Sequence, residues 1–202
     1  MLTIKSRFIE MFDVYCDETV LLKDLSELIT KGTTPTTAGY DFVDEGITFV
    51  KIESIAENGG FIHEKFAYVD EKCHSAFRRS QLKKNDLLFS IAGAIGRVAV
   101  VEEQILPANT NQALAIIRIH NNVINIDYLS NVLKSDYIKK QYYGLKRGAA
   151  QLNLSLENVS NFRIPLAPIN LQNQFAAFVK QVDKSKLCNY EKNILRGCEI
   201  CV

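Results

Sequence analysis

The sequence LKKNDLLFSIAGAIGR at residues 82–97 carries the clearest indication of the fold. It joins two short apolar runs, residues 87–91 and 98–101, through a loop that contains glycines. Such short apolar runs are more typical of strands buried on both faces than of helices. Residues 114–119 form a third run of this kind. We therefore predict a buried β-sheet in the middle of the chain.

Strand and helix patterns alternate on both sides of this sheet. Residues 47–52 and 61–69 are rich in β-branched and aromatic residues and predict strands, whereas residues 21–29 predict a strand end and a short helix. Asp127 and Ser155 are each expected to cap a helix, because short polar side chains accept hydrogen bonds from a helix N-terminus. These patterns predict an α+β fold, mixed and β-rich.

The C-terminal segment, residues 169–202, has a narrow apolar stripe at helical spacing and predicts a long helix of coiled-coil type. Either a partner helix covers this stripe, or the helix folds back onto its own domain, and the pattern leaves both open. The stripe consists of Leu171, Phe175, Phe178, Val182, Leu187, Tyr190 and Ile194. Residues 1–12 have a second helical stripe, formed by Ile4, Phe8, Ile9 and Phe12.

Charge is distributed unevenly along the chain, although its formal net charge is only +1 and its pI is about 7.6. Residues 10–71 hold 14 acidic and 4 basic residues, whereas residues 72–151 hold 5 acidic and 12 basic residues. A basic surface can bind a polyanion even on a nearly neutral molecule, because the local potential sets the affinity. The two regions could instead pack together and neutralise each other, and the charges alone leave both readings open.

Composition also restricts the compartment. No stretch is long and apolar enough to span a bilayer, and the N-terminus lacks the apolar core and cleavage site of a signal peptide. The five cysteines are odd in number and unevenly spaced, which is typical of free thiols in a reducing compartment. These features predict a cytoplasmic protein with no membrane partner.

Four short strings follow one another along the chain. They are KGTTP at 31–35, the stretch at 82–97, NQA at 111–113, and GAAQLNLS at 148–155 leading into IPLAPINLQ at 164–172. In this order and spacing they resemble one target recognition domain of a type I restriction–modification specificity subunit. Each string is made of common residues, so their order and spacing carry the likeness. The chain departs from many relatives in lacking tryptophan, which leaves the four strings unaffected.

The resemblance implies three parts. Residues 1–15 resemble the end of a spacer helix, residues 16–168 a target recognition domain, and residues 169–202 the start of a second spacer helix. A complete family member has two recognition domains joined by two antiparallel helices, so this chain resembles a half-subunit. We expect two copies to form a homodimer through the C-terminal helix. Further expected partners are double-stranded DNA, a DNA adenine methyltransferase subunit and a restriction subunit, with no cofactor, metal or catalytic residue in this chain.

A protein that reads DNA needs cations that neutralise phosphates and polar side chains that recognise base edges. The candidate phosphate contacts form two basic clusters: Arg78, Arg79, Lys83 and Lys84, and then Lys139, Lys140, Lys146 and Arg147. The candidate base readers are Lys31, Thr33, Thr34, Ser90, Arg97, Asn111, Gln112 and Gln151. Ordinary solvated surface is the alternative for each basic cluster. For Asn111 and Gln112 the alternative is a buried amide that closes a turn. Because specificity varies between members of the family, the alternative for the strings as a whole is a scaffold, with the base readers in residues 36–80 and 120–150.

Two other functions stay open at this point. The chain could be an assembly module that no longer reads DNA, such as a silent recombination cassette, or a thiol-dependent enzyme. Cys73 and His74 are adjacent in sequence, and adjacent side chains rarely face each other as a nucleophile and its base do. Cys198 and Cys201 supply only two of the four ligands of a structural zinc site.

Overall fold

The computed structural model describes residues 4–12, 15, 18–120, 124–144 and 153–198, and the side chains of these residues except Lys5 and 186–198. The helices are α1 (Ile4–Phe12), α2 (Leu22–Leu25), α3 (Glu71–Ala76), α4 (Ile126–Lys134), α5 (Asp136–Tyr143), α6 (Leu156–Ser160) and α7 (Ile169–Cys198). The strands are β1 (Thr19–Leu21), β2 (Ser26–Lys31), β3 (Ile47–Val50), β4 (Ala67–Val69), β5 (Leu87–Ser90), β6 (Val98–Val100), β7 (Ala108–Thr110), β8 (Leu114–Ile119) and β9 (Arg163–Pro165). The predicted α+β class is confirmed.

The central sheet has four antiparallel strands in the order β2-β8-β5-β6. Every residue of β5 is buried. Because alternate side chains leave a strand on opposite faces, Leu87 and Phe89 enter one core with the helices, whereas Leu88 enters a second core on the other face. The three apolar runs of the sequence are therefore strands of one sheet, and β5 is buried on both faces as predicted.

The second core lies between the central sheet and a three-stranded sheet in the order β4-β3-β7. Strand β3 is antiparallel to β4 and parallel to β7. Val50 of β3 and Ala108 of β7 pack in this core with Leu88. A separate two-stranded sheet pairs β1 with β9, where Val20 lies opposite Ile164. This pairing joins the N-terminal part of the domain to the segment that precedes α7.

Helix α1 and the first turns of α7 pack together on the helical face of the central sheet. Phe175 of α7 is fully buried among Phe8, Phe12 and Tyr128, and its ring centroid lies 5.3 Å from that of Phe12. Phe175 is therefore a core residue of its own domain, which corrects its assignment to a stripe that faces a partner helix. The first turns of α7 pack against their own domain because the aromatic rings bury more apolar surface together than apart.

The other stripe residues of α7 divide into two groups. Leu171 packs against the same core, whereas Phe178 and Val182 are partly exposed. Leu187, Tyr190 and Ile194 lie outside the described side chains. Over the described ranges no helix, α7 included, is both long and apolar enough to cross a lipid bilayer.

Of the strand predicted over residues 61–69, only Ala67–Val69 is observed (β4), because His63–Lys65 form a 3-10 turn. Two further local predictions are wrong for identifiable reasons. Residues 26–31 form strand β2 rather than part of a helix, because their backbone pairs with β8 from Ser26–Ile119 to Lys31–Ala115. Helix α4 is capped by Asn125, whose side chain accepts a hydrogen bond from the backbone N–H of Tyr128. Asp127 instead pairs with Lys180 of α7 at 2.8 Å.

The cap predicted at Ser155 is confirmed. The Ser155 hydroxyl accepts a hydrogen bond from the backbone N–H of Asn158, and the Asn158 side chain accepts one in return from the Ser155 N–H. This reciprocal arrangement satisfies two backbone donors at the start of α6. The proline-containing segment that follows α6 is extended in β9, as its prolines predict.

Candidate nucleic-acid interface

Segments from each of the four strings lie at one end of the central sheet. Strand β2 ends at Lys31, β5 ends at Ser90, and β8 begins at Leu114. Because these strands are antiparallel, Lys31 lies opposite Ala115, and Ser90 lies opposite Leu114. We call this end the motif end; it carries residues 31–35, 90–97, 111–113 and 153–155. Segments far apart in the sequence therefore meet at one edge of the sheet.

The first and third strings are clipped together through their backbones. The N–H of Gly32 donates to the carbonyl of Asn111 at 3.2 Å, and the N–H of Thr33 donates to the carbonyl of Thr110 at 3.2 Å. A Cβ atom at position 32 would lie 1.8 Å from the carbonyl oxygen of Thr110. The close approach of these two segments thus requires glycine at this position.

The second and fourth strings join the same assembly. The N–H of Ile91 donates to the carbonyl of Ala113 at 2.9 Å, and the carbonyl of Ile91 accepts from the N–H of Leu154 at 2.8 Å. Ile91 of the second string is thereby hydrogen-bonded to the third and to the fourth string. The described segments of the four strings that lie at the motif end are separate in sequence and form one hydrogen-bonded loop cluster.

Four of the candidate base readers are accessible at the motif end. Lys31 and Gln112 are exposed, and Thr33 and Thr34 are partly exposed. The hydroxyl of Thr34 donates a hydrogen bond to the Oε1 atom of Gln112. Two polar side chains from different strings therefore form one unit on the surface.

Ser90 and Arg97 have internal roles, which corrects their assignment as base readers. The buried Ser90 hydroxyl donates to the Ala94 carbonyl at 2.6 Å and accepts from the Arg97 N–H at 2.8 Å. The guanidinium of Arg97 donates to the carbonyl of Ile55 at 2.9 Å and to that of Ile52 at 3.3 Å. Both side chains hold the 91–97 loop against the body, so their polar groups are not presented to a ligand.

Asn111 follows the turn-closing alternative. Its side-chain Oδ1 atom accepts a hydrogen bond from the backbone N–H of Ala113 at 3.1 Å, which forms a turn around Gln112. Gln112 points out of this turn and is exposed. The sequence treated these two amides as alike, and the fold gives them different roles.

The first basic cluster divides at Leu82. Gln81 lies opposite Asn109 in an antiparallel bridge, and the N–H of Leu82 donates to the carbonyl of Ala108 at 2.9 Å. Traced backwards from Leu82, the chain therefore follows β7 toward the motif end and reaches the exposed Arg79 and Arg78.

Lys83 and Lys84 lie in the opposite direction from Leu82. Beyond them the N–H of Asn85 donates to the carbonyl of Val101, and the ammonium of Lys84 lies 3.1 Å from Glu103. These two lysines precede the start of β5 and thus lie at the end of the central sheet away from the motif end. The prediction that Arg78 to Lys84 form one cationic surface is wrong, because the residues before and after Leu82 lie toward opposite ends of the central sheet.

The second basic cluster is only partly described. Lys139 and Lys140 on α5 are exposed and border a groove with Ile9 of α1 and Phe175 of α7. Lys146, Arg147 and Gln151 lie outside the described residues. The described neighbours on either side reach the motif end, since the Tyr142 hydroxyl lies against Gly96 and Leu154 is bonded to Ile91.

A buried ion pair anchors the first residues of the 82–97 stretch, in the turn that precedes β5. Asp86 is fully buried, and its two carboxylate oxygens accept hydrogen bonds from Arg118 Nε at 2.8 Å and from an Arg118 terminal nitrogen at 2.7 Å. The N–H of Lys83 also donates to Asp86 at 2.8 Å. The aspartate of the second string is thus structural: it ties the turn before β5 to β8.

The thiol chemistry left open by the sequence finds no support at Cys73. Cys73 is buried on α3, and burial, with a smaller contribution from Asp70, raises the pKa of its thiol. A raised pKa disfavours the thiolate, which is the nucleophilic form. The Nδ1 atom of His74 is hydrogen-bonded to the Oδ1 atom of Asn109. Among the described residues no group of three or more His, Cys, Asp or Glu could hold a metal ion.

Asn109 organises the interface and was not among the predicted residues. It is fully buried in β7, and its Nδ2 donates to the Ser80 hydroxyl at 3.0 Å and to the Phe77 carbonyl at 3.3 Å. These bonds fix the turn that carries Arg78 and Arg79. The only sequence signal is a polar residue within a short buried strand, which by itself does not reveal its partners.

The architecture is that of a β-rich recognition domain with a long helix, and the comparisons agree with it. The chain belongs to the family of type I restriction modification DNA specificity domains, whose model matches residues 18–195. The resemblance seen in the four strings is thereby confirmed.

Relatives share moderate identity with this chain. It is 28% identical over 144 residues to the type I restriction enzyme EcoBI specificity subunit of Escherichia coli, covering 70% of this chain and 30% of that protein. It is 28% identical over 166 residues to the putative type I restriction enzyme MjaX specificity subunit of Methanocaldococcus jannaschii, covering 80% of this chain and 38% of that protein. The chain therefore spans well under half the length of these relatives.

Solved structures share the fold at low sequence identity. The HsdS subunit of Thermoanaerobacter tengcongensis has a TM-score of 0.65 at 17% identity, with 90% of this chain and 46% of that chain covered. A chain from a structure described as showing complex assembly and conformational transition of the type I R-M system has a TM-score of 0.64 at 16% identity, with 97% of this chain and 49% of that chain covered. These likenesses confirm the fold.

Proposed function

We propose that this chain is one DNA-reading half of a type I specificity subunit, in which the motif end contacts double-stranded DNA. The observation that carries the proposal is the convergence of segments from four separate strings on one end of the central sheet, where Thr34 and Gln112 remain accessible. Amide and hydroxyl groups on a rigid support are suited to base edges in the major groove. Lys31 and Thr33 lie beside them and belong to the same proposed surface.

Arg78 and Arg79 supply the proposed phosphate contacts beside the motif end. They are exposed, and the turn that holds them is fixed by the buried Asn109. Contacts to phosphates set orientation and affinity without reading sequence. Lys146, Arg147 and Gln151, predicted from the sequence, remain proposed contacts, whereas Lys83 and Lys84 are removed from the set because they lie at the other end of the sheet.

Duplex binding measured across a salt titration tests this proposal, with fluorescence anisotropy as the readout. Replacing Arg78 and Arg79 by alanine should weaken binding to all sequences and reduce the slope of log K against log salt by about 2, one phosphate contact per residue. The matched control is the double replacement of Lys83 and Lys84 by alanine, which removes the same charge and should leave the slope unchanged. Equal effects of the two variants, or no duplex binding by the chain, would contradict the proposal.

We also propose that the distal part of α7 pairs with a second copy and that the assembly directs a DNA adenine methyltransferase subunit and a restriction subunit. Helix α7 has 30 residues, which corresponds to a length of about 45 Å. Its first turns are buried in the domain at Phe175 and Val179, while the apolar stripe continues in the sequence through Leu187 and Ile194. Two paired helices would separate two recognition domains, so the proposed target is bipartite with an unread gap.

One observation favours a second candidate function, an assembly module that does not read DNA. Ser90, Arg97 and Asn111 all spend their polar groups on the chain's own backbone. A module of this kind would associate with partner subunits and show no salt-dependent affinity for duplex DNA. The anisotropy titration therefore separates the two functions.

A further inference from the structure

We infer that Glu53 reads a base: its carboxylate accepts a hydrogen bond from the exocyclic amine of a cytosine or an adenine, and Arg97 is the positioning residue that holds its turn. The inference rests on the proposed function, because it assumes that the motif end faces duplex DNA. It goes further by naming a base reader outside the four strings, within residues 36–80, and the kind of base edge that this residue takes.

Glu53 lies on the turn that follows β3, and this turn is beside the motif end. Val50, the last residue of β3, lies opposite Thr110, whose carbonyl accepts a hydrogen bond from the first string. The side chain of Ile52 lies 3.5 Å from the place that a Cβ atom would take at Gly93 in the second string. A duplex that contacts the motif end would therefore also reach this turn.

The backbone of the turn is held firmly by hydrogen bonds. The guanidinium of Arg97 donates to two of its carbonyls at 3.3 and 2.9 Å. The hydroxyl of Ser54, which is fully buried, accepts from the N–H of Lys51 at 3.2 Å and donates to the carbonyl of Lys65 at 2.8 Å. A side chain on such a support keeps a fixed direction, which recognition of a base edge requires.

Arg97 reaches this turn through main-chain atoms only. The carbonyls of Ile52 and Ile55 accept its hydrogen bonds, and a carbonyl accepts in the same way whatever side chain its residue carries. The support therefore places no demand on the side chain at position 53. A residue of the second string can thus act as scaffold for a turn whose side chains decide the specificity.

The carboxylate of Glu53 is accessible and its position is fixed. The side chain is 50% exposed, and its Oε1 atom lies 3.1 Å from the ammonium of Lys51. That ammonium also lies 5.5 Å from the centre of the Phe42 ring, a favourable contact for a cation. Since a carboxylate has about four acceptor sites, the pair with Lys51 leaves acceptors for a ligand.

The environment keeps Glu53 ionised. Partial burial raises the pKa of Glu53, but a hydrogen bond from its own backbone N–H and the charges of Lys51 and Lys65 outweigh burial and lower the pKa below its usual value. At neutral pH the side chain is therefore a pure acceptor. The two lysines also offset the repulsion between this carboxylate and nearby phosphates.

A pure acceptor distinguishes the base edges in the major groove. Cytosine presents the N4 amine and adenine the N6 amine, whereas guanine presents two acceptors and thymine an acceptor and a methyl group. Glu53 would therefore accept from an amine and be repelled by guanine or thymine at the same position. Cytosine fits best of the two amine-bearing bases, because adenine places the acceptor N7 beside its amine.

Selection of bound duplexes from a randomised library, followed by sequencing, tests the inference on the full chain. At one position the wild-type chain should select an amine-bearing base, and the sequences show whether it is cytosine or adenine. Glu53→Ala should reduce that preference by about tenfold. Glu53→Lys replaces acceptors by donors and should move the preference at that position to guanine.

A matched control separates base reading from the effect of charge. Glu45 is an exposed glutamate that precedes β3, so it lies at the other end of the strand from Glu53. Glu45→Ala removes the same charge and should leave every base preference unchanged. Glu53→Ala should keep the wild-type melting temperature and salt slope, since it removes neither a core contact nor a phosphate contact.

The positioning role of Arg97 has its own test. Arg97→Lys keeps the positive charge but removes the guanidinium that donates to the two carbonyls. It should weaken the preference at the position that Glu53→Ala affects and leave the other positions unchanged. Adding Glu53→Ala to Arg97→Lys should cause little further loss there, because both act through one contact.

Different outcomes would overturn different parts. If both Glu53 variants select the same bases as the wild-type chain while salt-dependent duplex binding persists, the inference fails and the proposed function stands. A wild-type preference for guanine or thymine at the position that Glu53→Ala affects would equally overturn it. Loss of preference at every position in Arg97→Lys would contradict the positioning role. If the wild-type chain binds no duplex at all, the inference and the proposed function both fail.

Discussion

Single residues at the motif end control how closely separate segments can approach. Only glycine fits at position 32, because the carbonyl of Thr110 occupies the place that a Cβ atom would take. Gly39, on the same loop, has a φ of 79° and nothing within 4 Å of that place. The two glycines of this loop therefore serve different needs: one permits close packing, the other a left-handed turn.

Replacing each glycine by alanine should separate these needs. Gly32→Ala should lower the free energy of unfolding by about 2–3 kcal/mol, because backbone must move to admit the methyl group. Gly39→Ala should cost only about 1 kcal/mol, the conformational cost of a left-handed alanine. Urea denaturation measures both, and a larger loss for Gly39→Ala would contradict the assignment.

Tyr142 gives the domain a predictable response to alkaline pH. Burial, with smaller contributions from Tyr143 and Asp136, raises the pKa of Tyr142 to about 12. Between pH 10 and 12 the unfolded chain would lose this proton while the folded chain keeps it. The folded state then binds more protons, so its stability falls as pH rises.

The expected loss across this interval is of the order of 2 kcal/mol, and Tyr142→Phe should remove it. Tyr143→Phe, which removes a smaller contribution to the pKa of Tyr142, should keep most of the pH dependence, because Tyr143 itself is 59% exposed. Urea denaturation at a series of alkaline pH values measures the effect. A pH dependence that is the same in both variants would show that another group is responsible.

Secondary-structure elements are connected by polar groups as well as by the core. The bidentate pair of Asp86 with Arg118 ties the turn before β5 to the neighbouring strand β8. Since Asp86 is fully buried and the Arg118 side chain is only 16% exposed, each depends on the other for compensation of its charge. This pair lies at the far end of the strands that carry the motif loops and supports them indirectly.

Breaking the pair should therefore be costly and non-additive. Asp86→Ala should lower the free energy of unfolding by about 3–5 kcal/mol, because the Arg118 charge is left buried and unpaired. The double variant with Arg118→Ala should lose clearly less than the sum of the two single losses. A double-mutant cycle in urea measures this, and strict additivity would mean that the two side chains do not interact.

Local pattern and tertiary pairing agree for some elements and disagree for others. The strands of the central sheet and the α6 cap follow from short-range periodicity and capping chemistry, and both were predicted. Strand β2 was predicted as helix, because its apolar residues have no strong alternation and only the pairing with β8 makes it extended. Pairing of this kind depends on residues nearly 90 positions away and leaves no local signal.

At the scale of the whole molecule, α7 belongs both to the domain and to the proposed dimer. Its first turns share a core with α1 and α4 through Phe175, Phe12 and Tyr128. Its distal turns continue the apolar stripe in the sequence and provide the surface proposed for a second copy. One helix would thus couple the orientation of a recognition domain to the spacing between two of them.

Substitutions in the two parts of α7 should have opposite effects. Phe175→Ala should lower the free energy of unfolding by about 3–5 kcal/mol, because it leaves a cavity in the core, and should not change the molar mass in solution. Leu187→Asp combined with Ile194→Asp should convert a dimer to a monomer without destabilising the domain. Light scattering with thermal melting measures both, and a wild-type chain that is monomeric at all concentrations would contradict the dimer.

By itself, the sequence determined the buried central strands, the α+β class and the family. These depend on short-range periodicity and on the order and spacing of the strings, and both can be read directly along the chain. Only the tertiary structure decided which polar side chains of those strings are exposed on the surface and which are engaged with the chain's own backbone. Arg97 and Gln112 look equally suited to DNA in the sequence, yet Arg97 donates to Ile52 and Ile55 while Gln112 stays exposed. The physical reason is that a hydrogen-bonding group is satisfied by whatever the fold brings within about 3 Å, and its partners come from distant parts of the chain.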